Sequence, residues 1–198
     1  MRKLIFALGL VLSGCTYAAD VAPSTTAAGD ILPQRKIAHP ASYFIDPELA
    51  SLNRDASEGY SCSAHKFPIS AGPAISSSIR SVNDSAFEQI AEGGSASQGS
   101  NGVERHLVYQ LDSFLPRLHF EAGFWQATAV ANVELVLKVT AYDAAGNALI
   151  RTRVSGIGYG EMDGGCDAGA EALSVATSQA IKRAMENYVD RVINAGQV

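Results

Sequence analysis

Residues 127–142 alternate strictly. Ala127, Ala129, Ala131, Val133, Leu135, Leu137, Val139 and Ala141 fall on one parity, and Thr128, Asn132, Glu134, Lys138 and Thr140 on the other. A period of two predicts a strand with one buried and one wet face. Val130 and Val136 interrupt the wet side and predict that it is partly covered. The following YDAAGNAL segment supplies Asp143, Gly146 and Asn147, a hairpin turn into a second strand over about 148–158. Upstream, RHLVYQLDSF places Leu107, Tyr109 and Leu111 on one side of a third strand.

Elsewhere the period lengthens to three or four. Pro73 opens a helix, a position where its missing N–H costs nothing. Ile75, Ile79, Val82, Ala86 and Ile90 form its apolar face, and Gly93-Gly94 is its expected end. A longer helix follows Asp167, a residue suited to the positive end of the dipole. Its stripe runs through Leu173, Ala176, Ala180, Ala184 and Tyr188, flanked by Ile181 and Val192. The alanines on this helix permit close approach to a sheet. ASYFIDPEL predicts a short extended piece stopped by Pro47, and YSCSAHKFPIS another. The Gly/Ser stretch at 92–102 reads as a mobile loop. The element order predicts an α+β domain: an antiparallel sheet of about four strands with two helices packed on one face.

The chain begins differently. Arg2 and Lys3 precede an apolar run at 4–12, too short to cross a bilayer as a mature helix. That run ends Leu12-Ser13-Gly14-Cys15, which resembles the lipobox of bacterial lipoproteins. The resemblance implies cleavage before Cys15 and acylation of its thiol, with small residues ahead of it admitting the peptidase. Several acyl chains on one Cys anchor firmly. By the same resemblance, Thr16 in place of Asp implies export to the outer membrane. Residues 1–14 then form the signal peptide. Residues 15–36, rich in Ala, Thr and Pro, form the lipidated Cys and a flexible tether. Residues 37–198 form one domain.

Composition narrows the function. The chain of 198 residues has 15 basic and 20 acidic side chains, a net charge of −5. Loss of Arg2 and Lys3 leaves 13 basic residues against 20 acidic ones, or −7. Such a domain gains nothing from nucleic-acid phosphates, so no nucleic-acid partner is expected. Of three cysteines, lipidation of Cys15 leaves Cys62 and Cys166. In an oxidising periplasm a disulfide between them is the natural reading, against two buried free thiols.

The candidate chemistry is sparse. Gly156-Ile-Gly158-Tyr-Gly160 has G-x-G-x-G spacing, without the register or β-α-β context of a dinucleotide site, and reads as a strand end open to close packing. Cys62-Ser-Ala-His65 offers a thiol and a base with no third group to orient them. His39, His65, His106 and His119 have no metal-ligand spacing, and no G-x-S-x-G element is present. No catalytic residue, metal or cofactor is therefore expected. Phe120, Phe124 and Trp125 around Gly123 are the candidate interaction surface.

The lipobox Cys, the tether, the long alternating strand, the AYDAAGNAL hairpin, the Gly-rich strand end and the Ala-rich last helix together resemble the YajG-like group of small bacterial lipoproteins. More loosely they resemble auxiliary lipoproteins of ABC-type envelope transporters. The match is best over 130–193. The resemblance implies a non-enzymatic envelope role: a periplasm-facing outer-membrane lipoprotein acting as an interaction or assembly module. The alternative is a lipid- or glycan-binding accessory of a transport system. The expected partners are the membrane, through the N-terminal lipid, and an envelope protein, with self-association left open.

Overall fold

The structure is a computed structural model that describes residues 16–21, 35–58, 62–99, 102–123, 127–196 and 198. The elements in chain order are β1 (Ala41–Ile45), α1 (Pro47–Ala50), β2 (Asn53–Asp55), β3 (Ser57–Glu58), β4 (Pro68–Ser70), α2 (Gly72–Ala86), β5 (Ile90–Glu92), β6 (Arg105–Ala122), β7 (Ala127–Asp143), β8 (Ala148–Asp163) and α3 (Ala168–Tyr188). The chain leaves α3 through a π-helical turn, Val189–Ile193.

This architecture corrects the expectation of about four antiparallel strands with two helices. The main sheet is mixed and holds six strands, in the order β5-β1-β6-β7-β8 with β3 also beside β6. The pairs β6–β7 and β7–β8 are antiparallel, whereas β5–β1, β1–β6 and β3–β6 are parallel. Because β7 occupies one edge of β6 along its length, β1 and β3 lie end to end on the other. Three helices are described among these residues. The parallel strands are two to five residues long, too short to carry a periodicity. β2 and β4 form a separate two-stranded ribbon.

β7 behaves as its pattern predicts. Its odd positions from Ala129 to Ala141 are buried, and Asn132 and Lys138 on the even side are exposed. β6 is longer than expected and changes parity. Leu107 and Tyr109 face the core, a bulge between Leu111 and Ser113 absorbs Asp112, and Phe114 and Leu118 then take over the inward positions. The helix expected to reach Ile90 stops at Ala86. The Phe87 N–H still bonds the Asn83 carbonyl, but Glu88 N–H turns to Ile37 and residues 90–92 join the sheet as β5.

α3 lies along β8 and β7 and packs against α2. Its closeness to β8 depends on small residues. A β-carbon added at Gly156, Gly158 or Gly160 would strike the carbonyl oxygen of Ala180, Ala176 or Ala172 in turn. Two residues of strand span about 6.7 Å and four of helix about 6.0 Å, so glycines at every second position meet alanines at every fourth. β8 is also a long edge strand. Side chains of α3 reach over that edge: Tyr159 N–H donates to Gln179 Oε1, and Arg183 Nη1 donates to the Ile157 carbonyl. Strand edges left open template unwanted pairing, and these two side chains occupy the middle of this one.

Candidate functional site

One end of the molecule gathers Cys62, Cys166, His65 and Phe120, all singled out from the sequence. Cys62 and Cys166 form a disulfide there, with Cα atoms 5.9 Å apart. It ties the segment before β4 to the turn that opens α3. Phe67 lies beneath, with its ring 6.2 Å from Phe120, and both approach Gly169 of α3. Phe120 therefore packs against the core at one edge rather than standing clear of it. Phe124 and Trp125, the other two members of the expected interaction surface, lie outside the described residues, as does Cys15.

The stretch expected to be a free tether contains a docked segment. Residues 16–21 run parallel to β4: Tyr17 N–H donates to the Lys66 carbonyl and Ala19 N–H to the Pro68 carbonyl, both at 2.9 Å. Ser174 of α3 closes the segment by donating to the Asp20 carbonyl. Ala19 is buried, Tyr17 and Val21 are half-buried, and Thr16, Ala18 and Asp20 are exposed. The Tyr17 ring stacks on Phe67 at 6.0 Å and meets His65 at 5.2 Å. His65 thus borders an aromatic cluster. The alternation Tyr17, Ala19, Val21 is a strand signal that the bulk composition of residues 15–36 concealed.

At the opposite end lies, among the described residues, the nearest approach to a nucleophile and base. Ser42 of β1 and His106 of β6 are adjacent in register and both buried, with Oγ 2.8 Å from Nδ1. His106 Nε2 lies 2.7 Å from the Ser95 carbonyl. A carbonyl only accepts, so in the neutral ring Nε2 holds the proton and Nδ1 accepts from Ser42. The Ser42 residue is wholly buried, which removes it from any substrate. The pair instead pins the 93–99 segment over the sheet. Beside it is an open depression of about 530 Å³, lined by His106, Tyr142, Asp143, Gln98 and Val103 among others.

A second buried polar group sits in the core. The hydroxyls of Tyr109 and Tyr188 both donate to Asn83 Oδ1, at 2.8 and 3.0 Å, and lie 2.7 Å from each other. Burial pushes both phenols well above their ordinary range, so they stay protonated. This cluster joins β6, α2 and α3 and touches no surface.

No protein-family model matches the chain, and no curated protein matches it. Among solved structures, a minor lipoprotein from Acinetobacter baumannii aligns with 82% of this chain and 96% of its own at 7% identity and a TM-score of 0.37. That likeness is too slight to carry an argument about fold or function, and the YajG-like pattern remains a resemblance.

Proposed function

We propose that the chain is an envelope lipoprotein, held to the outer membrane by acyl chains on Cys15, whose domain faces the periplasm and works by contact rather than by chemistry. The observation that carries this reading is the docked segment at 16–21. The residue after the lipobox Cys is already paired to the domain, so an anchor at Cys15 would hold the disulfide end next to the membrane with little slack. The domain would stand on that end with its long strands rising from it. A membrane-bound partner then meets it at a high effective concentration, and a modest interface suffices. The sealed Ser42–His106 pair fits a binding role better than a catalytic one.

Metabolic labelling with a palmitate analogue tests the anchor. The wild-type chain should label and fractionate with the outer membrane, and Cys15→Ser should do neither. A Cys15→Ser chain that labels and reaches the same fraction ends the proposal.

A second reading, a glycan-binding accessory, draws on the open depression beside His106, whose amide and carboxyl lining suits a sugar. Absence of saturable oligosaccharide binding by the wild-type chain, or binding unchanged by Tyr142→Ala, would exclude it.

A further inference from the structure

At the β8 edge of the sheet, basic residues converge from the outer face and from the end of α3. Lys138 of β7 and Arg153 of β8 are direct cross-strand partners, and Arg151 stands two residues along on the same face. Like charges placed directly opposite are destabilising, yet the sequence puts a lysine and an arginine there. Arg191 arrives from the π-helical turn at Val189–Ile193. A π turn changes the direction in which side chains leave a helix and occurs often at functional sites. Together with Thr152 these four residues line an open depression of about 440 Å³. The protein is acidic, with 15 basic residues in all, and four of them meet here. One acid is seen to answer them: Asp112, extruded at the β6 bulge, pairs with Arg153 at 2.9 Å. Among the described residues Lys138, Arg151 and Arg191 form no ion pair.

We propose that this depression binds a phosphate-bearing anion, a phosphomonoester or a diphosphate. Three guanidinium forks and one ammonium match a group with several oxygens and more than one negative charge, and arginine engages such oxygens in pairs. A carboxylate would leave most of the positive charge uncompensated. The inference does not rest on the lipid anchor. Arg153 lies ten residues along β8 from Asp163, roughly 33 Å of strand from the disulfide end. If that end rests on a membrane, the depression faces away from it. The phosphate then comes from a soluble compound or from the headgroup of a different membrane.

The full-length chain in a non-ionic detergent is titrated calorimetrically with sodium pyrophosphate. In parallel, the chain carrying Cys15→Ser is floated with vesicles of phosphatidylethanolamine and phosphatidic acid, whose exposed headgroup is a phosphomonoester. The expected result is saturable binding in one arm that weakens with added salt. Arg151→Gln with Arg191→Gln should weaken it by about tenfold or more, while Arg35→Gln leaves it unchanged. Asp112→Asn, which frees Arg153, should tighten binding severalfold, an outcome that a merely structural Asp112 would not give. All these positions are exposed, and unchanged melting temperatures would show that the variants fold. Pyrophosphate binding assigns a soluble ligand, and flotation without it assigns a lipid phosphate. Absence of saturable binding in both arms, or equal binding by the double variant, overturns the proposal.

Discussion

Gly158 of β8 lies directly beneath the carbonyl of Ala176 in α3, so close that a single added carbon would fall inside the oxygen's van der Waals shell. Backbone of helix meets backbone of strand with no side chain between them. Glycine in a strand ordinarily costs stability relative to alanine, and here the substitution reverses sign. Gly158→Ala should lower the unfolding free energy by about 3 kcal/mol or more. Ser155→Ala, on the exposed face of the same strand, should change it little. Urea midpoints of the two variants make the comparison.

The Tyr109–Asn83–Tyr188 cluster should confer a sensitivity to alkali. In the unfolded chain both phenols ionise near pH 10, and in the folded protein burial keeps them protonated. The unfolded state then binds fewer protons than the native one, so stability is intact below pH 10 and falls above it. The slope should approach about 2.7 kcal/mol per pH unit for two such groups. Urea midpoints measured between pH 9 and 11 should decline steeply. The double variant Tyr109→Phe and Tyr188→Phe should flatten that decline while losing stability at pH 7.

The disulfide between Cys62 and Cys166 closes a loop with a sequence separation of 104. In the chain-entropy account such a loop contributes about 4–5 kcal/mol. Replacing both cysteines with alanine should lower the unfolding free energy obtained from urea titration by that amount. Peptide mapping without reductant should recover the two cysteine peptides joined. Alkylation of both thiols in unreduced protein would contradict the bond.

The docked segment should reveal itself by hydrogen exchange. The Ala19 amide is bonded to Pro68 and its side chain is buried, so it should exchange slowly. Ala19→Asp places a charge in that contact and should raise the exchange rate of residues 16–21 by about tenfold or more, while α2 stays protected. Equal exchange in the two proteins would mean that the segment is not held.

What could be read from the sequence depended on how far each element carried its own signal. β7 and its hairpin were legible because one face is buried from Ala129 to Ala141 and Asp143 marks the turn. The pairing of Cys62 with Cys166 followed from counting. β6 was legible only as far as Leu111, because the bulge at Asp112 inverts the alternation and hides Phe114 and Leu118 from a parity count. Ile90 continued the helical spacing of α2, yet it pairs with Ala41, a contact 49 residues away in sequence. β1 exists because β6 offers an edge, and β5 because β1 then offers another, which no local pattern records. Ser42 and His106 likewise meet only through strand register. The basic depression was half visible: Arg151-x-Arg153 shares a face by parity and the hairpin brings Lys138 opposite, but nothing local brings in Arg191.

The arrangement of α3 over β8 has a consequence in time. The edge strand and its glycine row are finished before the helix that seals them has been made, because α3 is encoded after β8. A chain emerging in order therefore presents sixteen residues of open strand and a bare groove until α3 arrives. During that interval the nascent domain exposes an unpaired edge, and a holdase chaperone is the natural guardian of such a surface. A chain stopped at Gly165 should accordingly remain soluble only with a chaperone present, and adding the α3 sequence as a separate peptide should release it. The last helix thus acts as the closing signal that ends the need for escort.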